Sequence, residues 1–377
     1  MSKKYKVLYI DDDASKHGFS QIEPMIDTLE ESEMIKITPF QSGPFDKIAK
    51  ELFESINDFD AIIFDYQLDD RVNDQGEKGN IKAPVLAQHI RTETTDKGKQ
   101  LKDLPFILCS TDDKLQKSYT TDHTSHDLFD LKFRKDKSDL LTVSNQIIAL
   151  IEGYNKIREE KKFDTLLETK ISHLDDRIFS RFQDHAESIP PHEYSRMILK
   201  DLIYINGPLI DEATFAARLG IDISKSADWD YLKDKIFLDA KYSGVYACGW
   251  ERWWMDRIIT TFKDLTSYNL ASIDALQRVK LIVENSGLKE LTVSERIEGC
   301  SSYRYWTVCK SYNKPLDPRE GFKAKTKTEP KPWQDYNYIS KHGAVNRINF
   351  EEGLDVHATD YDRYRLVIEQ LKEANEQ

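Results

Sequence analysis

Three apolar runs in the first 110 residues are too short to be buried helices, and each ends abruptly in acidic or hydroxyl side chains. Residues 7–10 run into Asp11, Asp12 and Asp13, residues 61–64 into Asp65, and residues 106–109 into Ser110 and Thr111. Continuous apolar runs of this length suit strands buried on both faces of a parallel sheet. Between and after them, apolar spacing predicts helices over about 18–31, 44–56 and 83–93, and from about 138 onward. Strand and helix alternate, which predicts an α/β fold: a doubly wound parallel sheet that gathers ligands at the carboxyl ends of its strands.

Those carboxyl ends hold the chemistry. Carboxylates converging at one sheet edge repel one another unless a cation sits among them, and hard oxygen ligands select magnesium. Ser110 supplies a hydroxyl and Lys135, near the end of a fifth strand, a fixed positive charge. A phosphoryl group needs such a donor and such a charge for its equatorial oxygens. The constellation reads as a magnesium-assisted aspartyl-phosphate site.

With those residues in place, the chain resembles the receiver domain of two-component response regulators. VLYIDDD is similar to the family's first strand and acidic pair, DAIIFDYQL to its third strand, LPFILCST to its fourth and FDLKFRKD to its fifth. The resemblance covers about 150 of the 377 residues. It implies a five-stranded sheet of flavodoxin-like order. It makes Asp65 the phosphoacceptor, with Mg2+ held by Asp11, Asp12, Asp65 and the Gln67 backbone carbonyl, and with Ser110 and Lys135 on the phosphoryl group. A sensor histidine kinase or phosphotransfer protein is the implied partner. Three departures stand out. LDDRVNDQGEKGNIKAP, residues 68–84, replaces a short turn and reads as a tolerated surface loop, a lid or a partner contact. Lys132 stands where the family tends to place a switching aromatic, with Phe129 and Phe133 nearby. Asp136 replaces the usual proline.

Length bounds the rest. A chain of 377 residues and 43.9 kDa predicts two domains or three. The expected division is 1–140 for the receiver-like domain, 141–189 for a helical connector and 190–377 for an α+β effector domain of unrecognised family. In the connector, Ile147, Ile151, Tyr154 and Ile157, then Leu167, Ile171, Leu174, Ile178 and Phe182, recur at helical spacing. They predict a signalling helix that forms a homodimer through a coiled coil, or packing onto the chain's own cores. Four scattered cysteines fit a reducing compartment, and no stretch reads as a leader or membrane span. The expectation is a cytoplasmic protein with no membrane contact and no catalysis beyond aspartyl phosphorylation and its reversal.

The formal charge of -12 argues against a chain-wide nucleic-acid surface. Yet residues 1–155 hold 29 acidic against 20 basic side chains, so most of the excess acid lies in the first domain. Residues 301–350 reverse the balance, with ten basic side chains against four acidic and nine aromatics. Tyr303, Arg304, Tyr305, Trp306, Lys310, Lys323, Lys325, Lys327, Lys331 and Trp333 are the candidate surface, which reads as a site for single-stranded nucleic acid, a site for an acidic protein partner, or a strand-rich face whose lysines are simply solvated. Weaker signals are Asp239 and Lys241 at nuclease-like spacing, the acid and histidine set His173, Asp175, Asp176, Asp184 and His185, and the Cys300/Cys309 pair. The run Trp250, Trp253, Trp254, Ile258 and Phe262 reads as one helix face buried in a core. Two readings follow: a response regulator that switches a protein-interaction effector, and one that switches a nucleic-acid-binding effector.

Overall fold

The structure is a computed structural model that describes residues 4–15, 18–19, 22–96, 101–111, 128–136, 138–183, 186–350 and 353–375. It divides into two compact units. The first comprises 1–199 together with 243–250, and the second 200–242 and 251–377.

The first unit is built on five parallel strands, β1 (Tyr5–Asp11), β2 (Ile35–Gln41), β3 (Ala61–Asp65), β4 (Phe106–Ser110) and β5 (Leu131–Arg134). Their order is β2-β1-β3-β4-β5, so β1, β3 and β4 are interior. The short apolar runs are these interior strands: every residue of β3 and β4 is buried, whereas edge strand β2 begins by alternating buried and exposed. Helices α1 (Glu23–Glu30), α2 (Phe45–Ser55), α3 (Ala83–Thr95) and α4 (Leu140–Glu159) complete the α/β layers. One core gathers Leu8, Ile10, Ile62, Phe64, Phe106 and Leu108 of the sheet with Leu52, Leu86 and Ile90 of α2 and α3. The strand order reverses at β1, which leaves a crevice at the carboxyl ends of β1 and β3.

Helix α4 starts where the Asp139 carboxylate accepts the Leu141 N–H at 3.2 Å. Ile147, Ile151, Tyr154 and Ile157, the first half of the expected dimer seam, are all buried within this unit. Gly153 lies against segment 243–250 so closely that a Cβ there would stand 2.1 Å from the Tyr246 ring.

The helix ends at Glu159, and the continuous helical connector expected over 141–189 does not form. A five-residue helix, Phe163–Leu167, stops at Glu168 in the left-handed region (φ 49°), and the chain goes on as separate 3-10 turns at Ile171–His173, Asp176–Ile178 and Ser180–Phe182. The apolar residues that mimic a heptad instead pack locally. Phe182 meets Phe163 and Tyr194 at centroid distances of 5.1 and 4.6 Å.

The expected boundary at 190 also shifts, because helix Pro191–Met197 is bound into the first unit by a buried polar network. The Arg91 guanidinium donates to Asp103 at 2.5 Å and to Asp130 at 3.2 Å. Tyr154 and Ser195 hydroxyls donate to Asp130 at 2.9 Å, and the His192 N–H donates to Asp103 at 2.9 Å. Burial pushes the Asp103 carboxyl up, but Arg91 and His192 outweigh it and hold it down at about 2.

The second unit is helical and mixed. Helices Glu212–Leu219, Met255–Thr266 and Ala275–Ser286 enclose Phe215, Trp229, Phe237, Trp253 and Phe262. The aromatic run is core, as its spacing implied, but not one helix. Trp253–Trp254 is a two-residue strand paired with Leu209–Ile210, and the helix begins only at Met255. Between 288 and 312 the chain forms one strand, Thr307–Val308, paired with Pro315–Leu316, and isolated bridges from Val293 to Ile221 and from Cys309 to Tyr338. Elsewhere side chains satisfy its backbone: the buried Arg278 guanidinium donates to the Tyr305 carbonyl at 3.0 Å, and Glu320 accepts the Ser301 and Ser302 N–H groups at 2.8 and 3.0 Å.

Candidate functional site

The strand ends bring together the carboxylates that the sequence separates by more than fifty residues. Carboxylate oxygens of Asp11, Asp12 and Asp65 lie within 4.8 Å of one another, the sole such cluster of three or more metal-ligating side chains among the described residues. Asp11 and Asp65 end the adjacent strands β1 and β3, and both are buried, whereas Asp12 is half-buried.

Lys135 reaches the cluster from just beyond β5. Its Nζ lies 2.8 Å from Asp65 Oδ1 and 3.0 Å from Asp11 Oδ2, and its own N–H is held by the Ser110 carbonyl at 3.0 Å. Burial works against the lysine's charge, but Asp65 and Asp11 outweigh it and raise its pKa. On Asp65, burial dominates and is reinforced by Asp11, so the carboxyl is pushed up to about 6 despite Lys135 and the Gln67 N–H. The ion pair secures the lysine's charge without recovering the cost of a second buried carboxylate.

Gln67 sits two residues beyond Asp65, and its N–H donates to Asp65 Oδ2 at 3.0 Å, which fixes the turn that carries its carbonyl. At the end of β4 the Ser110 hydroxyl is fully buried and has no hydrogen-bond partner. A buried orphan hydroxyl beside an acid cluster is a donor waiting for an acceptor. The donor set, all hard oxygen with one ammonium, fits magnesium and a phosphoryl group. Phe129 and Phe133, the aromatics closest in sequence to the Lys132 position, are both buried.

The sequence placed Asp13 among the strand-end acids without a role in the site, and it did not single out Arg71. Asp12 Oδ2 accepts the N–H groups of Asp70 and Arg71, each at 2.9 Å, and the Arg71 guanidinium pairs with Asp13. Burial raises the Asp12 pKa against the pull of those two amides. The third aspartate of the DDD run and an arginine inside an otherwise polar insertion were the available signals.

The candidate surface in 301–350 is rearranged by the fold. Tyr305 is buried, its hydroxyl donating to the Ser294 carbonyl at 3.1 Å. The other rings carry the chain's own cations: Arg296 over Tyr303 at 5.0 Å, Arg218 over Trp306 at 4.9 Å, Lys323 over Tyr336 at 3.9 Å and Lys331 over Trp333 at 5.5 Å. Lys331 is also paired with Asp201 at 2.6 Å. Arg304, Lys310, Lys325 and Lys327 are exposed.

The weaker signals find other partners. Lys241 pairs with Asp234 and Glu251 at 3.0 and 2.9 Å, Asp175 pairs with Arg177 at 2.6 Å, and Cys309 Sγ accepts the Ser340 N–H at 3.1 Å. Asp184 and His185 lie outside the described residues.

The strand order and the acid cluster at the strand ends define the first unit as a receiver-like fold. Among solved structures, the chain is similar to a response regulator receiver domain protein from Clostridium thermocellum, at 16% identity over 41% of this chain and 98% of that one, with a TM-score of 0.29. It is also similar to a mutant of RitR, at 10% identity over 43% of this chain and 59% of that one, with a TM-score of 0.28. No family model and no curated protein matches the chain. Among the described residues, no helix is long and apolar enough to cross a membrane.

Proposed function

We propose that the chain is a two-component response regulator whose first unit is phosphorylated on Asp65 and whose second unit delivers the output through a protein partner. The donor is a sensor histidine kinase, a phosphotransfer protein or a small acyl phosphate. The observation that carries this reading is the Asp65 carboxylate itself, buried among Asp11, Asp12 and Lys135 beside an unpartnered Ser110 hydroxyl.

An ionised Asp65 oxygen attacks the phosphorus. A new P–O bond forms as the bond to the donor breaks, and with phosphohistidine the electron pair of the P–N bond leaves on the imidazole nitrogen, which takes a proton from water. Lys135 faces the charge that builds on the phosphoryl oxygens, and Ser110 turns its hydroxyl to one of them. Asp11, Asp12, Asp65 and the Gln67 carbonyl would hold magnesium, which when bound neutralises those oxygens. The phosphoryl group carries about -1.5 to -2 charges, and Lys135 and Ser110 rearrange around it. Hydrolysis of the acyl phosphate by water resets Asp65.

The output is assigned to a protein partner rather than to nucleic acid because, of the candidate rings, Tyr303, Trp306 and Trp333 each lie against one of the chain's own cations and Tyr305 is buried. Residence in the cytoplasm belongs to this reading as well. Incubation with acetyl phosphate and magnesium, followed by intact-mass measurement, is expected to add one phosphoryl group to the protein and none to Asp65→Asn. A labelled Asp65→Asn protein, or an unlabelled native one, refutes the assignment.

A further inference from the structure

The insertion after β3 is an ordered hairpin rather than a slack loop. Within it the Asn73 N–H donates to the Glu77 carbonyl at 2.7 Å, Val72 bridges Lys78, and the Asn73 side chain accepts the Gln75 and Glu77 N–H groups at 3.0 and 2.9 Å. Its base is fixed. The Ser42 hydroxyl donates to the Leu68 carbonyl at 2.7 Å, the Asn80 side chain accepts the Phe45 N–H at 3.1 Å, and a Cβ on Gly79 would stand 2.0 Å from the Leu68 oxygen.

Between base and tip, the hairpin is fastened by exposed polar pairs on α2 and β2 and by the acidic site. Lys47 pairs with Glu77, and the Gln41 amide exchanges two hydrogen bonds of 3.2 Å with Asp74. Exposed pairs of this kind are worth little. The inner fastening is different in kind: two backbone N–H groups on one Asp12 oxygen and a guanidinium on Asp13. The Asp12 carboxylate, which a metal would use, is engaged by the insertion's own amides, and its neighbour Asp13 by Arg71.

We propose that residues 69–80 form a metal-released lid, whose amides and Arg71 hold the Asp12 and Asp13 carboxylates until a divalent cation enters the site. This rests on reading Asp11, Asp12 and Asp65 as the magnesium site. A cation at Asp12 withdraws charge from the carboxylate whose Oδ2 accepts the two amides and repels the Arg71 guanidinium beside it, so binding of the ion and closure of the hairpin oppose each other. By linkage the opposition is reciprocal: what loosens the hairpin tightens the ion. The lid then couples metal loading to exposure of the site to a phosphoryl donor.

Hydrogen–deuterium exchange over peptides spanning 69–80, with magnesium affinity measured by calorimetry on the same full-length samples, tests the lid. Saturating magnesium is expected to speed exchange in this hairpin at least threefold. Asp12→Asn is expected to show the fast exchange without magnesium, and Arg71→Gln, the variant less liable to disturb the site, to bind magnesium at least threefold more tightly. Magnesium that binds yet slows exchange or leaves it unchanged overturns the lid, as does an Arg71→Gln protein of unaltered or weaker affinity. If calorimetry detects no magnesium binding to the native chain, the metal reading itself fails and the lid with it.

Discussion

Asp11 and Asp65 stand side by side where water scarcely reaches, with one ammonium between them. For Asp65 the sign of the consequence is fixed. Its carboxyl titrates near 6 in the folded chain against an ordinary value of 3.8, so the folded state holds a proton that the unfolded state releases first. The contribution of this group to stability is fully present below about pH 4 and is lost as the pH rises through 6. Asp65→Asn removes that loss. In metal-free buffer the variant is expected to exceed the native protein in unfolding free energy by on the order of 1–3 kcal/mol at pH 7.5, a gap that closes toward pH 4. Urea melts at the two pH values measure it, and a variant less stable at pH 7.5 contradicts the burial account. Most of this site was legible in the sequence, because apolar strands that stop at carboxylates place those carboxylates at one edge. The Arg71 and Asp13 contact was not, because nothing in an insertion's composition says where its amides point.

At the level of elements, α4 shows how a helical repeat is misread. Spacings of three and four mark an apolar face without naming what covers it, and here the sheet and segment 243–250 cover it. The heptad-like continuation past Glu159 is a coincidence of spacing, broken at Glu168. Gly153 offers a direct measure of the packing. On an exposed helix, Gly→Ala gains roughly 1 kcal/mol. Here Gly153→Ala is expected to lose about 1–3 kcal/mol instead, since the methyl group meets the Tyr246 ring at 2.1 Å. A raised denaturation midpoint would show that segment 243–250 does not pack against the helix. The same caution applies to 301–350, where Tyr303, Trp306, Trp333 and Tyr336 each lie against a cation of the second unit itself.

For the whole molecule, the division of the chain is the part that sequence reading missed. A Pro-Pro pair such as Pro190 and Pro191 stops a preceding helix, yet Pro191 opens one of its own whose His192 and Ser195 serve the buried Asp103 and Asp130. Polar contacts between residues sixty to ninety positions apart leave no local pattern. A fragment of residues 1–189 takes His192 from Asp103 and Ser195 from Asp130, at about 1–3 kcal/mol each, from a unit whose total stability is on the order of 5–15 kcal/mol. It is expected to lose its cooperative thermal transition by circular dichroism. A sharp transition in that fragment, at the temperature of the full chain's, would mean that 190–199 and 243–250 are dispensable.

Because residues 243–250 return to the first unit after 43 residues of the second, the order of synthesis differs from the order of completion. A receiver-like unit that ended at its last sheet-covering helix would finish folding soon after that helix left the ribosome. This one waits for residue 250 with the Gly153 face of α4 uncovered, several seconds longer at usual elongation rates of about 5–20 residues per second. The two units therefore cannot be inherited as a simple cassette and its cargo. Exchange of the N-terminal portion between genes would carry away a unit with a piece missing.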